Sequence, residues 1–597
     1  MSAALNSKNL SRTLLASAVI ALVVMLIAFL KAWTIAFNSD FAIVGLLAKR
    51  FLETGELPLF IGQVGYQGLL IEVPAVALAY KIFGINPYSL NLAPALFSVV
   101  LVYLFYRVAR ESCGKLTASL ATLCLVVSSS HWYHQVARTQ PNYVETFALG
   151  LLLFHLYWSF LKARGDEVKA LQRSDYKTIA AFGFVAGFGI YTYGQILYFL
   201  IAIALHAAIL YLRGIYQRER SPDWWKQALL PRGGGWAQRA ATLLTAIIAL
   251  AWLAMAIAGR YEFRETRIRF LTSPFANFVL LVLSYGLIHA ISFVRHYFRV
   301  MVLHAKAIGC FFAALVIGYS PKLYYNLVLK LPSIKRTGIS GYYADAVRRL
   351  GIAFHGNLSF LNLNEHGGLD WILGLSLALC FICFLWHGMK LAWKIITAQR
   401  EWSAILEIPL ITLLPIPVLG LFTLSDGVLD AMSARYTISL WIFYALAVAW
   451  CVVSLWNTSS KVGWVWRSAS FIFVMLFLAN NGIHFYRSVR EAPLTTGFEP
   501  VIAYMKEKNL RFGYGYFWYA YAINLQTNEE LVIDSIDPKY IGYYAPLVAQ
   551  ANEIAYIDKK PYMLNVESES TSIAGQNYRI LEKAEFNEMS VFHLKRE

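Results

Sequence analysis

Stretches of about 17 to 25 apolar residues recur along most of this chain, each the length a helix needs to cross the hydrocarbon of a bilayer. The first runs from Leu14 to Trp33. Across 597 residues, 58% are hydrophobic and only 15% charged, whereas a soluble globular chain carries about 25% charged residues. The runs therefore dictate an all-α polytopic membrane bundle. The first is too long for a signal-peptide core and no A-x-A cleavage pattern follows it, so it reads as a retained helix.

A net charge of +17 would suit nucleic acid if it lay on one face. Most of the basic residues instead fall in short gaps between apolar runs, as in cytoplasmic loops, so no nucleic-acid partner is expected. Spans are expected near 14–33, 88–108, 116–130, 143–161, 177–192, 194–213, 240–258, 274–294, 300–319, 369–390, 404–423, 433–454 and 463–485, about thirteen in all. Leu69 to Gly84 is short and is interrupted by Glu72 and Pro74, so it reads as interfacial. With that choice the basic loops sort to one side, placing the N-terminus in the cytoplasm and the C-terminus outside.

Three outer regions result: residues 34–87 with two interfacial helices, a loop over 320–368, and a tail. In the tail, Val501–Lys508 reads as helix, and Arg511–Phe517 and Glu530–Ile536 read as strands. The expected division is a transmembrane domain over 1–486 and a small extracytoplasmic α/β domain over 487–597. The six cysteines lie in or beside apolar runs without metal-site spacing, so no disulfide framework is expected. No P-loop, GxGxxG, HExxH or GxSxG motif stands in a usable context, and no fixed-period repeat is present.

Asp40 follows the first apolar run and heads the amphipathic stretch Asp40–Glu53. A carboxylate at the membrane surface suits chemistry on a lipid-borne substrate, and Asp is equally a good helix N-cap. Arg260, Arg264 and Arg267, with Lys322 in the later loop, stand on the outer face against the positive-inside bias. They suit phosphate binding, or, with Glu262 and Glu265 as partners, contact with lipid headgroups. Arg138 and Glu145 flank Pro141, which breaks any helix there. Glu145 then lies about a turn inside a lipid-immersed helix, where an ionisable group is a functional candidate by default. An Arg138–Glu145 structural pair is the competing reading, and Arg435 at the start of a late span presents the same choice. His131, His134, His355 and His366 lack paired ligand spacing. No residue pattern requires a metal, and a divalent cation stays open.

Several short motifs then point one way. Asp40 in a first outer loop, Gly65-Tyr66-Gln67-Gly68 before a helix ending Lys81-Ile-Phe-Gly84, Asn142-Tyr-Val-Glu-Thr-Phe-Ala-Leu-Gly150, Ala434-Arg-Tyr436 and Gly513–Tyr521 together resemble the polytopic GT-C glycosyltransferases. These include the protein O-mannosyltransferases, the aminoarabinose transferase of lipid A and the RgtA/B/C/D-like group.

The resemblance implies an enzyme of the bacterial inner membrane that moves a sugar from a polyprenyl-phosphate carrier to a lipid, polysaccharide or protein acceptor, with inversion. Asp40 would be the base, with Glu145 beside it in catalysis. Arg138, Tyr66, Gln67, Arg260, Arg264, Arg267, Lys322 and Arg435 would bind substrate. The sequence departs from the family pattern twice. The usual Asp-Glu pair is Asp40-Phe41, and the aspartate often found after Ala-Arg-Thr is Gln140. Two rivals remain open: a flippase or transporter of lipid-linked substrates, and a non-catalytic envelope-assembly protein on the same scaffold.

Overall fold

The computed structural model describes residues 20, 22–30, 37–61, 67–139, 142–164, 171–219, 305–328, 343–360, 368–397, 409–425, 428, 430–458, 463–492, 496–536, 541–559 and 570–597. The expected spans at 240–258 and 274–294 lie outside these residues.

After the first apolar run come two helices that do not cross. Helix α1 (Ser39–Thr54) starts at Asn38, whose side chain accepts from the Asp40 backbone N–H at 3.0 Å, and stops at Gly55 with φ 76°. The N-cap is thus Asn38, and Asp40 is in the first turn. Helix α2 (Glu72–Phe83) has 12 residues and a length of about 18 Å, too short for a bilayer.

Among the described residues, six helices are long and apolar enough to span a membrane. The longest, over Pro87–Val126, contains α3 (Leu92–Val126), which Gly114 divides with φ 82° and ψ 170°. Only glycine adopts that conformation readily, so the expected junction between two spans falls at this residue. There follow a short helix α4 (Ser130–Val136), then α5 (Tyr143–Arg164), α6 (Arg173–Thr192) and α7 (Ile196–Glu219). Next are α8 (Ala305–Leu327), α9 (Tyr343–Phe360), α10 (Gly368–Thr397), α11 (Pro415–Leu424), α12 (Leu440–Trp456) and α13 (Gly463–Arg490). The segment read as a loop from 320 to 368 therefore holds the end of α8 and all of α9.

The bundle is held by close approach inside and apolar surface outside. On α6, Cβ atoms at Gly183 and Gly187 would meet the backbone of Phe311 and Leu315 on α8, and one at Gly318 would meet the α6 backbone. Such small-residue contacts replace the hydrophobic drive that lipid cannot supply. On α10, Ile372, Leu375, Leu379, Ile382 and Trp386 recur along one exposed face, the surface expected to meet lipid tails.

The tail forms a mixed six-stranded sheet with order β2-β1-β3-β6-β5-β4. Its strands are β1 (Phe512–Gly515), β2 (Val532–Ser535), β3 (Glu553–Lys559), β4 (Ser570–Ile573), β5 (Gln576–Phe586) and β6 (Met589–Arg596). β1 pairs in parallel with β2 and β3, and the remaining pairs are antiparallel. Helix α14 (Glu499–Glu507) precedes β1, α15 (Phe517–Gln526) joins β1 to β2, and α16 (Tyr544–Ala549) precedes β3.

Two large apolar cores result. One fills the bundle, with Phe105, Phe147, Phe199 and Phe443 among its members. The other is shared by α1, α2 and the tail: Phe41, Leu46 and Tyr80 pack with Tyr521, Leu525, Ile533 and Phe592. Helices α1 and α2 and the sheet thus share one core.

Candidate active site

The first group converges on Asp40. Its position in the first turn of α1 leaves its side chain half-buried. Arg138, just after α4, and Arg435, in a 3-10 turn over Ala431–Thr437, both act on it electrostatically. Burial raises the Asp40 carboxyl above its ordinary value of 3.8, and the two guanidinium groups oppose that rise. A carboxylate and two arginines from three distant stretches of sequence therefore share one electrostatic neighbourhood.

Each arginine is placed by local chemistry. The Arg138 Nη2 donates to Gln135 Oε1 at 2.6 Å. The 3-10 turn is capped by Asp430, which accepts from the Ser433 backbone N–H at 3.0 Å. The Arg435 guanidinium lies over the Tyr436 ring, 5.3 Å from its centroid. Helix α9 braces this turn, since Asn357 donates to the Thr437 hydroxyl at 2.9 Å. Arg349 in α9 is buried and donates to the Thr423 carbonyl at 3.1 Å, a structural use of this arginine. Beside this group, burial pushes the His131 imidazole down to about 3, which keeps it neutral.

The second group is a pair of carboxylates. Glu145 in the first turn of α5 is 2% exposed and Glu72 at the start of α2 is fully buried. Neither carboxylate has a hydrogen-bond partner among the described residues, so the alternative Arg138–Glu145 hydrogen-bonded pair is not formed. The titratable neighbour is instead Glu72. Burial first, and Glu145 second, push the Glu72 carboxyl well above its ordinary value. Sequence reading treated Glu72 only as an interruption of an apolar stretch. The signal was present, because the cost argument applied to Glu145 holds for any carboxylate in an apolar helix start.

A folded loop places these residues. Asn142 holds a backbone φ of 55°, and its side-chain amide donates to the Gly68 carbonyl at 2.8 Å. The Tyr191 hydroxyl donates to the Leu59 carbonyl at 2.6 Å and accepts from the Leu69 N–H at 3.0 Å. A Cβ at Gly68 would strike the Tyr191 ring, so glycine is required for this approach. Gln67 is fully buried with neither amide atom partnered among the described residues. Lys322 lies over the Phe60 ring at 5.2 Å, attached to the same loop. Tyr66, Arg260, Arg264 and Arg267 lie outside the described residues. Among the described residues, no group of three or more His, Cys, Asp or Glu side chains could hold a metal ion.

The arrangement resembles one known architecture. Residues 75–220 match the sequence pattern of the dolichyl-phosphate-mannose-protein mannosyltransferase family. The crystal structure of ArnT from Cupriavidus metallidurans in the apo state is similar over 98% of both chains, with a TM-score of 0.50 and 10% identity. The same protein bound to undecaprenyl phosphate aligns over 98% of both chains, with a TM-score of 0.47 and 11% identity. The oligosaccharyltransferase AglB from Archaeoglobus fulgidus, in complex with an inhibitory peptide and a dolichol-phosphate, aligns over 90% of this chain and 69% of that one, with a TM-score of 0.45 and 12% identity. No curated protein sequence matches the chain. The chain has a GT-C-like fold, and its resemblance to the polytopic GT-C glycosyltransferases extends to the matched sequence segment.

Proposed function

We propose that this protein is an integral-membrane glycosyltransferase that takes a sugar from a polyprenyl-phosphate carrier and passes it, with inversion, to an acceptor hydroxyl at the outer face of the membrane. The observation that carries the reading is the convergence of Asp40 with Arg138 and Arg435. The family pattern over residues 75–220 supports it.

In this reading the acceptor oxygen attacks the anomeric carbon while the Asp40 carboxylate takes its proton. The bond from that carbon to the phosphate oxygen breaks, and the polyprenyl phosphate leaves with the electron pair. Arg138 and Arg435 hold the leaving phosphate by charge-assisted hydrogen bonds, joined by Lys322 and by the arginines at 260, 264 and 267. Gln67 is a further substrate-binding residue, and the sequence resemblance adds Tyr66 to that role. Glu145, paired with Glu72, completes the catalytic set as an acceptor for substrate hydroxyl hydrogens. The acceptor is a lipid, polysaccharide or protein of the cell envelope.

The test is Asp40→Asn in purified protein in nanodiscs, assayed against a panel of undecaprenyl-phosphate sugars with membrane extract as acceptor source. Transfer is expected to fall by about a hundredfold or more, with binding of undecaprenyl phosphate retained. Transfer at the wild-type rate would remove Asp40 from the chemistry.

A further inference from the structure

The helix that bears Asp40 is gripped along its length by the tail. Beside Asp40, the Ser39 side chain is buried and accepts from the Tyr521 backbone N–H of α15 at 3.1 Å. In the middle, a Cβ at Gly45 would meet the Leu525 side chain of α15 and the Tyr80 hydroxyl of α2, so α1 lies closer to both than any larger residue permits. Towards the other end, the buried Lys49 Nζ lies 2.6 Å from Glu529 Oε2 and donates to the Asn528 carbonyl at 3.0 Å. The next residue, Arg50, stands over the Tyr543 ring at 4.5 Å.

The receiving end of this contact is itself built. Asn528 and Glu529 both hold positive φ, 50° and 67°, a costly conformation for two successive side-chain-bearing residues and one that recurs at functional positions. The turn is fixed by the Glu529 N–H donating to the Asn524 carbonyl at 2.7 Å. The second Glu529 oxygen accepts from the Tyr544 hydroxyl at 2.6 Å. One carboxylate, 480 residues from Lys49 in sequence, thus ties Lys49 of the first outer segment to α16 of the sheet unit.

We propose that the C-terminal α/β unit is a positioning element for the transfer site, with Ser39, Lys49 and Glu529 as positioning residues that hold α1, and so Asp40, against the bundle. This rests on the reading of Asp40 as the base. An acid-base group held by a single helix loses rate steeply when that helix shifts, because about 1 Å of misplacement can cost a hundredfold. The ion pair is shielded from solvent, so salt screens it less than an exposed pair.

The experiment compares Ser39→Ala, Lys49→Met, Glu529→Gln and Lys49→Arg in the full chain, with Glu582→Gln as control. Glu582 pairs with Lys508 at 2.7 Å on the sheet, away from α1. Two quantities are read: hydrogen exchange of the α1 amides, and kcat and KM for whichever undecaprenyl-phosphate sugar the wild type turns over. The first three variants are expected to speed α1 exchange several-fold. They should also lower kcat by on the order of tenfold with KM little changed. Lys49→Arg should restore both, and the control should match wild type. Wild-type exchange and kcat in Ser39→Ala and Glu529→Gln would overturn the proposal. So would a loss of kcat that Lys49→Arg shares with Lys49→Met. Should Glu529→Gln not fold, Ser39→Ala decides alone. If Asp40→Asn proves active, the base assignment fails separately, and the α1 exchange rates still decide the clamp.

Discussion

The membrane bundle and the outer layer, formed by α1, α2 and the C-terminal sheet, are each built on a buried apolar core but differ in what they leave at the surface. The bundle buries large side chains such as Phe147 and Phe199. Its helices also meet through glycine, as where Gly183 and Gly187 of α6 face the α8 backbone, and further large apolar side chains such as Ile372 and Leu375 stay exposed. In the outer layer the large side chains point inward, with Ile533, Tyr521 and Phe592 fully buried. The polar groups divide accordingly. In the outer layer the Lys49–Glu529 pair at 2.6 Å is largely shielded, whereas Lys508–Glu582 at 2.7 Å lies closer to water. Asp40, Arg138 and Arg435, with Glu72 and Glu145 nearby in the chain, gather where the two regions adjoin. Side chains at such a seam draw rigidity from both sides, and weakening either region should reach the proposed site by a different route.

The largest expected effect tests the outer layer. Ile533→Ala removes a fully buried side chain from the core shared by the sheet, α1 and α2, a change that costs about 2–5 kcal/mol. Hydrogen exchange should rise together in β1, β2 and α1, with protected amides of α5 and α12 unchanged. Faster exchange confined to the sheet would separate α1 from that core and dissolve the comparison.

A smaller effect is expected in the bundle. Gly187→Leu would force α6 away from the Leu315 backbone, with overpacking costing about 1–3 kcal/mol. The melting temperature in detergent should fall while exchange in the sheet stays as in wild type. An unchanged melting temperature would mean that the α6–α8 approach is not tight.

The two regions were not equally legible in the sequence. Spans show themselves because lipid demands an apolar run of fixed length, and the helices over 143–164, 196–213 and 463–490 lie where such runs do. The junction at Gly114 also fell between expected spans. In the tail, Val501–Lys508 and the first two strands were visible from periodicity, and they correspond to Glu499–Glu507, Phe512–Gly515 and Val532–Ser535. What the sequence hides is any contact made by distant residues. Nothing near Lys49 announces Glu529, and nothing near Glu145 announces Glu72. The resemblance identified Asp40, Arg138 and Arg435 as a candidate set, but their electrostatic convergence is a property of the fold. Asn38 rather than Asp40 caps α1, because both residue types are competent caps and it is the backbone at Asn38, φ -149°, that is extended while Asp40 is already helical.

The site assignment is tested most directly by the pH dependence of kcat/KM, measured for wild type and Arg138→Gln. A base works only when ionised, so the rate should be lost as pH falls through the Asp40 pKa. Burial places that limb above the ordinary 3.8, while Arg138 and Arg435 pull it down. Removing the Arg138 charge takes away one stabiliser of the carboxylate, so the acid limb should move to higher pH. The account predicts that upward shift, and no acid limb of this origin in Asp40→Asn. An acid limb in the same place in wild type, Arg138→Gln and Asp40→Asn would contradict it.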